Sequence, residues 1–167
     1  MTTKADLTPA NWAALVDAAP AIARAVAASA GGESQSVAEL DAFVQFVSEA
    51  ADESGRDSVV DQLVTDVRGR LASGVEAVSG DAFTDGLELA RRAGAILAVE
   101  LEPAEATAVR AWYVGAARRV AGAAREGGVL GIGGTDLSSW ERETLKAVSD
   151  ALGAELPRDD PGAGDDE

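Results

Sequence analysis

Apolar residues return every three or four positions through six successive stretches of this chain, and each stretch is bounded by glycine, proline or a capping residue. That spacing lays an apolar stripe along a helix, whereas a strand would need alternation. It therefore predicts an all-α fold, a single globular bundle of about six helices around one interior. The 167 residues suit one domain, placed at 1-154. Residues 155-167 carry six acids and one Arg, with Pro157, Pro161 and two glycines. Such a segment is too polar to offset the entropy of ordering, and is read as a disordered acidic C-terminal tail.

The boundaries follow from local chemistry. Thr8-Pro9 reads as a cap with Pro at the first helical position, opening a helix over 9–29 that carries Trp12, Leu15, Val16, Ala19, Ile22 and Val26. Pro20 lies inside it and predicts a kink or two shorter helices. Ser36 and Glu39 have capping-box spacing ahead of a second helix over 37–52, with Leu40, Phe43, Val44 and Val47 on its apolar face. Asp57 is the expected cap of a third, which Gly74 ends, and 75–80 read either as its extension or as an irregular link. A fourth helix runs from Phe83 to Leu101, where Glu102-Pro103 must interrupt it. A fifth starts at Pro103, with Val109, Trp112, Tyr113, Ala116 and Val120 along one stripe. Ser138 and Glu141 repeat the box ahead of a sixth, with Trp140, Leu145, Val148 and Leu152 inward and Gly153 closing it. Trp12, Trp112 and Trp140 are expected as core anchors.

The chain has no Cys and no His. This removes disulfides, thiol nucleophiles, imidazole acid-base chemistry and Cys/His zinc sites. Carboxylates, hydroxyls, one Tyr and guanidinium groups remain, and no local motif joins them, so the reading is non-enzymatic with no cofactor. Glu100, Glu102 and Glu105 crowd the Pro103 break, where repulsion between like charges would raise a pKa. A net charge of -15 opposes nucleic acid and anionic membrane. No apolar run is read as approaching the roughly 20 residues of a membrane span, and no signal sequence is read at the start, so a cytoplasmic location is expected.

Charge is unevenly spread. Residues 33–66 hold nine acids and one Arg, whereas 81–126 hold seven acids and six Arg. Arg118 and Arg125 are seven apart on one face of the fifth helix, as are the small residues Gly115 and Gly122. With Arg110 they make a candidate surface for an acidic protein partner or for a homo-oligomer; the competing reading is a solvated network of arginines paired with Glu88, Glu105 and the acidic helices.

Residues 127–134, Gly-Gly-Val-Leu-Gly-Ile-Gly-Gly, invite a phosphate-loop reading that the context does not support, since no Lys-Ser/Thr follows. An apolar plug between tight turns is the simpler reading. With Thr135, Asp136, Leu137, Ser138, Glu141, Leu145 and Ala151-Leu152-Gly153, this stretch resembles the C-terminal signature of small uncharacterised bacterial all-helical proteins. It is loosely similar to the closing helices of tellurite-resistance TerB-like domains. That resemblance implies a divalent-cation-binding stress-response domain, with Asp136 and Glu141 as the metal-ligand candidates. From spacing alone, Asp57 with Asp61 and Glu49 with Glu53 are further carboxylate pairs one turn apart, read chiefly as solvated helix ends.

Overall fold

The computed structural model describes residues 2–30, 33–53, 58–74, 81–126 and 139–154, with the side chains of 30, 33–36, 53 and 124–126 also outside the description. Six α-helices follow a single 3-10 turn at Lys4–Asp6: α1 (Pro9–Ala30), α2 (Glu33–Glu53), α3 (Val59–Ala72), α4 (Ala82–Glu100), α5 (Pro103–Glu126) and α6 (Ser139–Leu152). No strand occurs among the described residues. The expected tail, the link at 75–80 and the glycine-rich link at 127–134 lie outside them.

Helix α1 is the axis of the bundle. It touches each of the other five helices, α4 most extensively, and Leu15, Ala18, Ala19, Ile22, Ala23, Ala25 and Val26 are buried along it. A helix surrounded on this scale has to be apolar all round. Its segment Pro9–Ser29 is accordingly long and apolar enough, at a mean hydropathy of 1.2, to cross a membrane by length and composition. This corrects the expectation that no run approaches that length, although 72% of the segment is buried inside the fold. The helix continues unbroken through Pro20. Pro20 removes the bond that the Val16 carbonyl would have accepted.

Two glycines set how closely helices meet. A Cβ on Gly86 of α4 would lie 2.6 Å from Ala25 Cβ and 2.7 Å from the Ala21 carbonyl oxygen of α1. A Cβ on Gly94, two turns on, would lie 2.8 Å from the Ala151 carbonyl oxygen and 2.9 Å from Leu152 backbone atoms of α6. Tyr113 of α5 completes the centre; it is fully buried and its hydroxyl donates to the Leu15 carbonyl at 2.6 Å. Burial pushes that phenol far above its ordinary range, so the one Tyr of the chain is a structural hydroxyl.

The caps differ in part from expectation. Helix α2 begins at Glu33, so Ser36 does not open it and Glu39 lies well inside. Asp57 is outside the described residues, and Ser58 caps α3: its Oγ accepts from Asp61 N at 3.1 Å, while Asp61 Oδ2 accepts from Ser58 N at 3.2 Å. Asp81 caps α4, accepting from Phe83 N. In α6 the buried set is Glu141, Thr144, Leu145, Val148, Ser149 and Leu152. Trp140 is 69% exposed, which corrects its assignment to the core: neighbours on a helix diverge by about 100°, so seating Glu141 turns Trp140 outward. Trp12 and Trp112 are buried as expected.

Asp66 ties the N-terminal turn to the bundle. Its Oδ2 accepts from Lys4 Nζ at 2.5 Å and from Trp12 Nε1 at 2.7 Å. Burial works against its charge, but the bonds from Lys4 and Trp12 prevail and hold the carboxyl below its ordinary 3.8. The stabilisation is therefore full above pH 3.8 and is lost as pH falls through the lower folded-state value. Asp66→Ala is expected to lower stability by about 2 kcal/mol, or roughly 4–8 °C in Tm at pH 7. Thermal melts across pH check this, since the deficit should shrink towards pH 3.

Candidate functional site

Thr107, Ala111, Val114 and Arg118 recur at three- and four-residue spacing with Arg110 and Gly115 beside them, so the six share a face of α5. Gly153 and Ala154, just beyond α6, close a cleft of about 470 Å³ against that face. The wall at Gly153 is built by a helix-ending turn: Gly153 has φ +65°, Ala154 N donates to the Ser149 carbonyl at 2.9 Å, and Gly153 N donates to the Asp150 carbonyl at 3.2 Å. Arg110 fastens the turn to α5, its Nε donating to the Leu152 carbonyl at 2.9 Å. A cation at the C-terminal end of a helix also meets the negative end of its dipole.

The structure thus brings together three of the five residues singled out for interaction, Arg110, Gly115 and Arg118, in one concavity with two guanidinium groups. Gly115 also seats a neighbour, since a Cβ there would meet the Phe46 ring of α2 at 3.4 Å. Phe46 in turn packs on Trp112, with ring centroids 6.0 Å apart. Gly122 is not in the cleft, and a Cβ on it would meet nothing within 4 Å. The Arg125 side chain lies outside the described residues.

The arginine pairings agree in part with those expected: Arg119 of α5 pairs with Glu49 on the acidic α2, whereas Glu105 takes a different partner. Glu105 accepts from Thr2 N at 2.8 Å, and this bond, with burial opposing it, lowers the carboxyl from its ordinary 4.5. At Glu105 the rise expected at the Pro103 break is overturned, because the hydrogen bond from Thr2 to the charged form outweighs burial. Arg119 approaches Glu49 at 3.7 Å, and Arg70 and Arg68 pair with Asp17 and Asp52. These pairs are largely exposed and contribute little each.

Of the metal-ligand candidates, Asp136 lies outside the described residues, whereas Glu141 is buried at 5% exposure. Facing it electrostatically is Glu39 of α2, which is fully buried with neither carboxylate oxygen hydrogen-bonded among the described residues. Burial first, and then the nearby charge of Glu141, raises the Glu39 carboxyl above its ordinary 4.5. Glu39 was read only as a capping residue. Its register with Phe43 and Val47, at four-residue steps along the apolar stripe, is the signal that places it inward. Among the described residues no group of three or more possible ligands gathers around a metal position, and two carboxylates fall short of the six to eight oxygens that Ca²⁺ prefers. No family model, no curated protein and no solved structure matches the chain.

Proposed function

We propose that this chain is a non-enzymatic protein-contact module and that the α5–α6 cleft receives an acidic segment of its partner. The observation that carries this reading is the convergence of Arg110 and Arg118 on one cleft in a molecule of net charge -15. Guanidinium groups suit carboxylates because their planar donors match both oxygens. The turn at Gly153 and the Arg110 bond fix one wall in advance, which reduces the ordering needed on binding.

The reading is tested by following backbone amide resonances while adding a decapeptide of alternating Asp and Ser. Shifts should concentrate at Arg110, Gly115, Arg118 and Ala154, weaken with salt, and fall at least tenfold in apparent affinity with Arg118→Glu. Shifts spread equally over Arg91, Arg92 and the other exposed arginines would refute a specific cleft. Light scattering over concentration separates a foreign partner from a second copy of this chain: a mass that doubles with concentration, and does not double in R118E, assigns the cleft to self-association. The divalent-cation alternative rests on Glu141 and its neighbour Glu39, and calorimetry showing no uptake of millimolar Ca²⁺ or Mg²⁺ would remove it.

A further inference from the structure

Away from the α5–α6 cleft, a groove of about 520 Å³ lies between α1, α2 and α3. Its floor is apolar: Phe43 and Val47 are buried beneath it, and Leu40, Leu71 and Val44 line it, Val44 with 45% of its surface open. The volume falls within the range of small-ligand sites, and a mostly apolar lining with a few placed polar groups is the usual composition of such sites.

The charged residues that line it are Arg24 and Arg68, both cations. This runs against the charge of α2, one wall of the groove, which carries six acids and no basic residue. Arg68 holds Asp52 at 3.2 Å on the outer side. Arg24 is half-buried and makes no ion pair among the described residues. A partly desolvated cation beside an apolar floor gains most from an anion that brings its own apolar body.

We infer that the groove between α1, α2 and α3 is a binding site for a small single-headed anionic amphiphile, a medium-chain alkyl carboxylate, with the alkyl chain over Phe43, Val44 and Val47 and the carboxylate at Arg24. The ligand is free in solution, since a groove of this volume encloses one short chain.

Calorimetric titration of the full chain with hexanoate, octanoate and decanoate tests the assignment. Saturable 1:1 binding should tighten about fourfold with each methylene added. Decanol, which keeps the alkyl body without the charge, should bind at least tenfold more weakly than decanoate. Arg24→Gln should abolish that preference while leaving decanol binding unchanged, which a variant with a damaged fold would not do. Val44→Trp, which fills the groove from its open side, should weaken both ligands, with circular dichroism reporting an intact helical fold. Absence of saturable binding below millimolar, equal affinity for decanoate and decanol, or indifference to R24Q would each overturn the proposal. Co-sedimentation with vesicles containing anionic phospholipid, lost in R24Q, would reassign the groove to a membrane surface and overturn the free ligand.

Discussion

Replacing Gly86 by Ala should lower the melting temperature by about 4–8 °C, whereas the same substitution at Gly69 should raise it by about 2–4 °C. Both positions are inside helices, where Ala is favoured over Gly by about 1 kcal/mol. At Gly69, which is exposed on α3, a new Cβ meets nothing within 4 Å, so the backbone preference acts alone. At Gly86 the Cβ would fall 2.7 Å from the carbonyl oxygen of Ala21, an atom held by the hydrogen-bonded backbone of α1 and unable to swing aside. Overpacking of this kind costs about 1–3 kcal/mol and can exceed it against rigid backbone, leaving a net loss of about 2 kcal/mol after the helix preference is counted. For a chain of this size each kcal/mol moves Tm by about 2–4 °C. Parallel thermal melts of G86A and G69A check the opposite signs. Equal shifts would mean that α1 and α4 are not held at the separation seen here.

Glu39→Leu should stabilise the protein at neutral pH by about 2 kcal/mol, or roughly 4–8 °C in Tm, because a buried carboxyl without partners is replaced by an apolar side chain of similar size. The pH dependence gives the test its sign. The folded protein keeps the Glu39 proton to a higher pH than the unfolded chain, whose ordinary value is 4.5. Below 4.5 both states are protonated and the group carries no ionisation penalty; as pH rises from 4.5 to the raised folded value, stability is lost. The advantage of E39L should therefore be smallest near pH 4 and largest at pH 8. If millimolar Mg²⁺ or Ca²⁺ raises the Tm of the parent chain and leaves E39L unmoved, the pair of Glu39 and Glu141 is a ligand set; if neither cation has an effect, the pair binds neither.

The helices were legible because their signal is repeated. Five or six apolar residues at helical spacing outvote any single ambiguity, and Pro103 and Gly153 mark their boundaries by backbone chemistry that needs no tertiary context. The start of α2 was misread because Ser36 and Glu39 have the spacing of a cap, while inward placement of Glu39 depends on helices that are distant in sequence. The orientation of Trp140 failed for a related reason. The buried face of α6 runs through Glu141, Thr144, Leu145, Val148 and Ser149 and leaves Trp140 outside it, whereas hydrophobicity alone favoured the Trp over Glu141. The glycines show the limit most clearly. Gly115 and Gly122 attracted notice by their spacing, yet among the described glycines it is Gly86 and Gly94 that lie against the backbone of another helix, each defined by a partner remote in the chain. Of the cleft, the arginines and Gly115 could be named from sequence, but not the turn at Gly153–Ala154 that converts a charged helix face into a concavity.

The central position of α1 also has a consequence for biosynthesis. Its closest neighbour in the bundle, the Gly86 region of α4, follows Ala21 by about 65 residues, which at ribosomal rates takes roughly 3 to 13 s. Throughout that interval a 22-residue helix with few charges has emerged without the surface that will enclose it. The nascent chain is then at its most vulnerable to aggregation and most attractive to holdase chaperones and targeting factors, which recognise the same apolar length.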